Sequence, residues 1–134
     1  MRLLLTFILA INLVSCAQKN DKIIGIWEVT NEYYQAVYEI VEYRGKFFGK
    51  IHYYNDGKLE YQGKNKKRDY FLTDVEKQGN TYNNGKMYLP DGSYYEVIFT
   101  LKDDNKLEAL MTVEGKPYKE VWTKGKKIKN IFPK

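Results

Sequence analysis

Cysteine, histidine and proline are scarce: the 134 residues hold one, one and three of them. A single cysteine excludes an internal disulfide framework and any cysteine-based zinc site, and a single histidine excludes a histidine cluster. Serine is almost missing beyond Ser15. Ser93 remains, inside the turn Asp91-Gly92-Ser93 rather than in a Gly-x-Ser-x-Gly elbow. The apolar run at 3–13 falls short of the ~20 residues that a membrane-spanning helix needs. No stretch sustains a helical period, no segment repeats, and no glycine-rich phosphate loop leads into a helix. Asp103-Asp104-Asn105 has too few ligands for a calcium loop and reads as a hairpin turn. These absences leave the expected catalytic, metal and cofactor sites empty.

Aromatic residues are abundant, with thirteen tyrosines, six phenylalanines and two tryptophans, and such residues favour strands. Charged residues at 29% and hydrophobic residues at 43% give the balance of a globular domain, not of a disordered tail. The length suits one domain with one core. Basic residues outnumber acidic ones by 22 to 17, for a formal net charge of +5.

The N-terminus sets the expected compartment. Arg2 precedes the apolar run, which has the length of a secretory h-region, and the run ends in Leu13-Val14-Ser15-Cys16. That ending resembles the bacterial lipobox, in which the cysteine is acylated and becomes the new N-terminus. The division is therefore a signal peptide at 1–15, lipidated Cys16 and a tether at 16–22, one barrel domain at 23–125, and a basic tail at 126–134. Buried acyl methylenes, at ~0.8 kcal/mol each, would hold such a chain firmly on a membrane. Ala17 stands where an aspartate would resemble the inner-membrane retention signal, which points to the outer membrane. Export also argues against a nucleic-acid partner, despite an isoelectric point of about 9.1.

Turn signals recur at short intervals: Arg44-Gly45, Asn55-Asp56-Gly57, Gln78-Gly79-Asn80, Asp91-Gly92, Asp103-Asp104-Asn105 and Glu114-Gly115. Between them the pattern predicts strands at 24–30, 36–43, 47–54, 70–74, 81–89, 94–102, 107–114 and 118–124. Tyr95, Val97, Phe99 and Leu101 alternate onto one face, as do Leu107, Ala109, Met111 and Val113, and Phe47, Gly49, Ile51 and Tyr53. One-sided strands without a covering helix leave exposed edges, and closing the sheet removes them. The fold class is all-β, an antiparallel meander of about eight strands closing into a small barrel. Residues 55–69 form the longest loop. Their basic run of Lys64, Lys66, Lys67 and Arg68 reads as a solvated connection, with a rim over a barrel mouth as the alternative.

Four segments carry a resemblance: Gly25-Ile26-Trp27; Arg44-Gly45 with Phe47-Phe48-Gly49-Lys50-Ile51; 84–92 followed by Tyr94-Tyr95; and Lys106-Leu107 leading to Trp122-Thr123-Lys124. Their order and spacing resemble the small secreted bacterial family called "domain of unknown function 2147", over residues 25–124. The resemblance implies a calycin-like barrel, and the Gly-x-Trp opening is similar to that of lipocalins. Two arginines of the family pattern are absent at 108–111 and 115–120, so no site resting on them carries over.

The principal reading is a lipid-anchored envelope module that binds a small apolar or amphipathic ligand. Trp27, Phe47, Tyr53, Tyr95, Phe99 and Trp122 are the candidate lining residues, and the same aromatics equally serve as core packing. Gly25 and Gly49 beside large rings favour a filled interior. The alternative is a filled barrel that acts as an envelope protein-interaction or scaffold module through outward Tyr54, Tyr88 and Tyr94. A third reading, an envelope hydrolase, would need two of Glu28, Glu39 and Glu120 to converge, whereas charged residues in strands ordinarily face water. His52 has no evident partner and reads as a surface histidine. Trp27 is expected in the core; Trp122 is expected nearer a frayed end.

Overall fold

Nine strands follow one another among the described residues: β1 (Gly25–Thr30), β2 (Gln35–Tyr43), β3 (Lys46–Asn55), β4 (Glu60–Gln62), β5 (Tyr70–Gln78), β6 (Thr81–Tyr88), β7 (Tyr94–Asp103), β8 (Lys106–Val113) and β9 (Lys116–Lys124). The structure, a computed structural model, describes residues 21–64 and 66–125. The expected signal peptide, the lipidation site Cys16 and the tail at 126–134 lie outside the described residues.

Eight of the strands close into an antiparallel barrel in the order β1-β2-β3-β5-β6-β7-β8-β9. Strand β9 returns to β1 through the pairs Trp27–Lys124 and Glu28–Thr123. The ninth strand, β4, is a short addition to the end of β3, inside the segment expected to be a loop. Tight turns fix the register. Arg44 and Gly45 between β2 and β3 have φ of 51° and 79°, and Glu114 and Gly115 between β8 and β9 have 52° and 75°. Two left-handed central residues match the twist of the flanking strands.

The expected alternation holds along β7 and β8, where Val97, Phe99, Leu107, Ala109 and Met111 are all buried in the core. It breaks in β3. Tyr38 pairs with Ile51 but Val37 pairs with Tyr53, so His52 is an extra residue on one strand. Such a bulge reverses which face the following residues take. Tyr54, opposite Ala36, therefore packs against the core where the alternation had placed Tyr53.

One end of the barrel is solid. Trp27 is fully buried and donates its indole N–H to the carbonyl of Ile23 at 2.8 Å. The Lys124 ammonium lies 4.8 Å from the centre of the Trp27 ring and donates to the carbonyl of Ile24 at 2.8 Å. Gly25 makes room for this arrangement. It has a φ of 135°, and a Cβ there would lie 2.7 Å from the Lys124 nitrogen. Residues expected in the tether already belong to this end. The Tyr82 hydroxyl donates to the Asp21 carboxylate, Lys77 donates to it at 3.0 Å, and Lys22 pairs with Asp104 at 2.7 Å. Above Trp27 the packing continues through Trp122, whose ring lies 5.0 Å from Phe99 and 4.9 Å from Tyr38.

Candidate functional site

The other end is hollow. A cavity of about 1140 Å³ opens there, on the scale of pockets that hold small molecules. Its floor runs across mid-strand residues: Tyr38, Ile51, Phe71, Met87, Tyr95, Met111 and Glu120. One inward step further along four of the same strands lie Ile40, Val97, Ala109 and Trp122, all buried beneath it in the core. Turns and the strand ends beside them carry the rim, with Tyr33 and Tyr34 before β2, Leu59 and Tyr61 around β4, Leu89 and Pro90 after β6, and Pro117 and Tyr118 at the start of β9.

The segment after β3 builds one side of this mouth. Asp69 is only 1% exposed; it accepts the Tyr61 hydroxyl and, at 2.8 Å each, the backbone N–H groups of Lys64 and Lys66. Burial pulls the Asp69 carboxyl upward, but the Tyr61 hydroxyl, the two amides and the Arg68 charge together hold it below the ordinary aspartate value. A buried carboxylate that accepts several N–H and O–H groups folds the basic run into a fixed rim, with Arg68 on the cavity and Lys64 and Lys66 exposed. The basic side chains are solvated as expected, and Arg68 also takes the alternative place at the barrel mouth.

Glu120 is the polar centre of the floor and is 6% exposed. Its two carboxylate oxygens accept the Tyr34 hydroxyl at 2.6 and 2.5 Å, and one of them accepts the Trp122 indole N–H at 3.1 Å. The Tyr34 ring stacks on Tyr54 with centroids 5.5 Å apart, and the Tyr38 ring tilts against Phe71 at 4.3 Å. Burial, followed by the neighbouring Tyr38 and Glu120, pushes the Tyr34 phenol far above its ordinary value. Burial and Glu120 push the Tyr38 phenol up as well. Both hydroxyls are therefore neutral at physiological pH.

The sequence-derived candidates divide. Tyr95 lines the cavity. Trp27, Phe47, Phe99 and Trp122 are core residues packed below it, because the barrel narrows to solid packing toward the β1–β9 closure. Tyr53 is outside the cavity lining, displaced by the bulge at His52, and Tyr54 takes the inward place. Of the tyrosines expected to face outward, Tyr54 lines the cavity and packs against the core, whereas Tyr88 and Tyr94 are exposed side by side with ring centres 5.5 Å apart, Tyr88 at the cavity rim. Glu120 faces inward against the expectation that it meets water. Glu39 is engaged elsewhere, accepting the Nε2–H of the His52 ring at 2.8 Å and pairing with Lys50 at 3.4 Å. Glu28 occupies the face of β1 opposite buried Trp27 and Val29, so the three glutamates do not converge. Among the described residues no group of three His, Cys, Asp or Glu side chains could hold a metal ion. A shallower hollow of about 590 Å³ at the turn from β7 to β8 is lined by polar and charged residues of Asp103–Lys106 with Thr123 and Lys124.

A closed eight-stranded antiparallel meander, solid at one end and open at the other, is the lipocalin type of β-barrel. Among solved structures it is similar to HP1028 from the human pathogen Helicobacter pylori, a protein that belongs to the lipocalin family. The TM-score is 0.60 at 20% identity, covering 78% of this chain and 83% of that one. The likeness is one of fold. No protein-family model matches the chain, and no curated protein matches it.

Proposed function

We propose that this chain is a binding module of the bacterial envelope that takes a small apolar or amphipathic molecule into the mouth of its barrel. The observation that carries the reading is the cavity of about 1140 Å³, walled by tyrosine, methionine, leucine, isoleucine and phenylalanine side chains around a single buried carboxylate. A mostly apolar concavity with a few convergent polar groups is the usual form of a small-molecule site. The neighbour of the lipocalin family supports the same reading through its barrel. In this proposal Cys16 carries lipid and tethers the barrel to the outer membrane, supported by the apolar run and the lipobox-like Leu13-Val14-Ser15-Cys16. A relationship to the domain of unknown function 2147 belongs to the proposal as well, supported by the order of the Gly25, Gly45, Gly85 and Trp122 segments.

Native mass spectrometry of the full chain, extracted gently from membranes, tests it. A population carrying one small molecule of defined mass is expected. A uniformly empty protein that also fails to take up fluorescent lipid in solution would overturn the reading.

A further inference from the structure

The charge at the cavity floor narrows the ligand class, on the basis of the ligand-binding reading above. The rim carries two cations, Arg68 and Lys116, and two anions, Asp56 and Glu114, all exposed and balanced in sign. Among the described residues the floor carries Glu120 alone. Its carboxylate has two neutral donors, the Tyr34 hydroxyl and the Trp122 indole, and among the described residues no ion pair includes it. A carboxylate offers about four acceptor positions, and a buried charge without a counter-charge is costly.

The surroundings of Glu120 suit a cation. Tyr34, Tyr38 and Tyr54 line the same cavity, with Tyr34 bonded to Glu120 and stacked on Tyr54. Aromatic faces attract ammonium groups within about 6 Å, most strongly where water is excluded. A ligand carboxylate would instead meet a like charge at the floor, and an uncharged head would leave Glu120 without a counter-charge.

We propose that the barrel binds an organic amine. Its protonated amino group sits at Glu120 among Tyr34, Tyr38 and Tyr54, and its apolar body lies against Ile51, Phe71, Met87 and Met111. Glu120 supplies the charge, the tyrosine rings supply ring faces, and Tyr34 holds the carboxylate in place. The formal net charge of +5 disfavours adventitious alkylammonium binding elsewhere on the molecule.

Isothermal titration of the folded protein with dodecylamine, dodecanol and dodecanoate, each below its aggregation concentration, tests this. Tail length is constant and only the head group changes. The amine is expected to bind at least tenfold tighter than the other two in the wild-type protein. Glu120→Gln is expected to remove most of that preference. The wild-type comparison decides the matter even if Glu120→Gln fails to fold, and Tyr34→Phe serves as a second, milder variant in which the preference should shrink. Equal or tighter binding of dodecanol or dodecanoate by the wild type overturns the amine assignment and leaves the pocket reading standing. A preference that persists undiminished in folded Glu120→Gln also overturns it. Failure of all three probes to bind overturns both.

Discussion

The Tyr34 hydroxyl bridges the two carboxylate oxygens of Glu120, 86 residues away in sequence, at 2.6 and 2.5 Å. This bond ties the turn before β2 to the middle of β9 and holds the cavity's one buried charge. Removing the hydroxyl leaves a buried carboxylate with the Trp122 indole as its remaining donor, and an unmet hydrogen bond to a buried group costs about 1–3 kcal/mol. Tyr34→Phe is therefore expected to lower the melting temperature by several degrees. Glu120→Gln combined with Tyr34→Phe should cost less than the sum of the two single changes, because the partners share one interaction. Additive losses in thermal melts would separate the two residues energetically.

Trp27→Ala should remove about 3–5 kcal/mol, as for other buried aromatics, from a total of only about 5–15. The indole is fully buried, bonded to Ile23 and covered by the Lys124 ammonium. Trp122 is also fully buried, between Phe99 and Tyr38, so Trp122→Ala should cost as much as Trp27→Ala. The frayed end expected from the lysines after Trp122 is absent at that position because β9 pairs with β1 as far as Lys124. Chemical denaturation of both variants checks the ranking. A Trp27→Ala protein melting within a few degrees of wild type would contradict the closed-end packing.

Asp69 should make the rim pH-dependent. Its carboxyl is held below the ordinary 3.8, so the stability it contributes is fully present above that value and is lost as pH falls through the lower folded value. Asp69→Asn removes this linkage. The gap in melting temperature between wild type and variant should be widest above about pH 4 and should shrink on further acidification. At neutral pH the variant should also be cut faster by trypsin within 64–68, where lysines and Arg68 offer cleavage points. Equal cleavage rates would show that Asp69 does not hold this segment.

Cys16→Ser should abolish incorporation of radiolabelled palmitate and move the protein from the membrane to the soluble fraction after cell lysis. One acyl-bearing residue is the whole anchor in this account, so retention of the variant on membranes would contradict it.

Much of the barrel was legible in the sequence because its signals are local. Alternation marked the faces of β7 and β8, and Arg44-Gly45 and Glu114-Gly115 marked two hairpins. The inward side of β9 was legible by the same rule: Trp122 in the core places Glu120 and Tyr118, at even spacing, on the same face. The general rarity of buried carboxylates outweighed that pattern, and Glu120 was expected to meet water. The bulge at His52 left no signature in residue type, so Tyr53 and Tyr54 exchanged places. The partnership of Tyr34 with Glu120 and the hold of Asp69 on its loop depend on three-dimensional closure across the mouth. The size of the cavity was equally hidden, since Tyr, Met and Phe fill or line a barrel with the same composition.

The hollow mouth is tested most directly by titrating N-phenyl-1-naphthylamine, an apolar fluorophore, into the wild-type protein and into Met111→Trp. Met111 is a floor residue, and an indole there would occupy the space a ligand needs. A saturable one-to-one rise in fluorescence is expected for the wild type. At least tenfold weaker binding is expected for Met111→Trp, compared at a temperature where circular dichroism shows both proteins folded. Absence of saturable binding to the wild type, or equal binding by both proteins, would contradict the assignment of the barrel mouth as a ligand site.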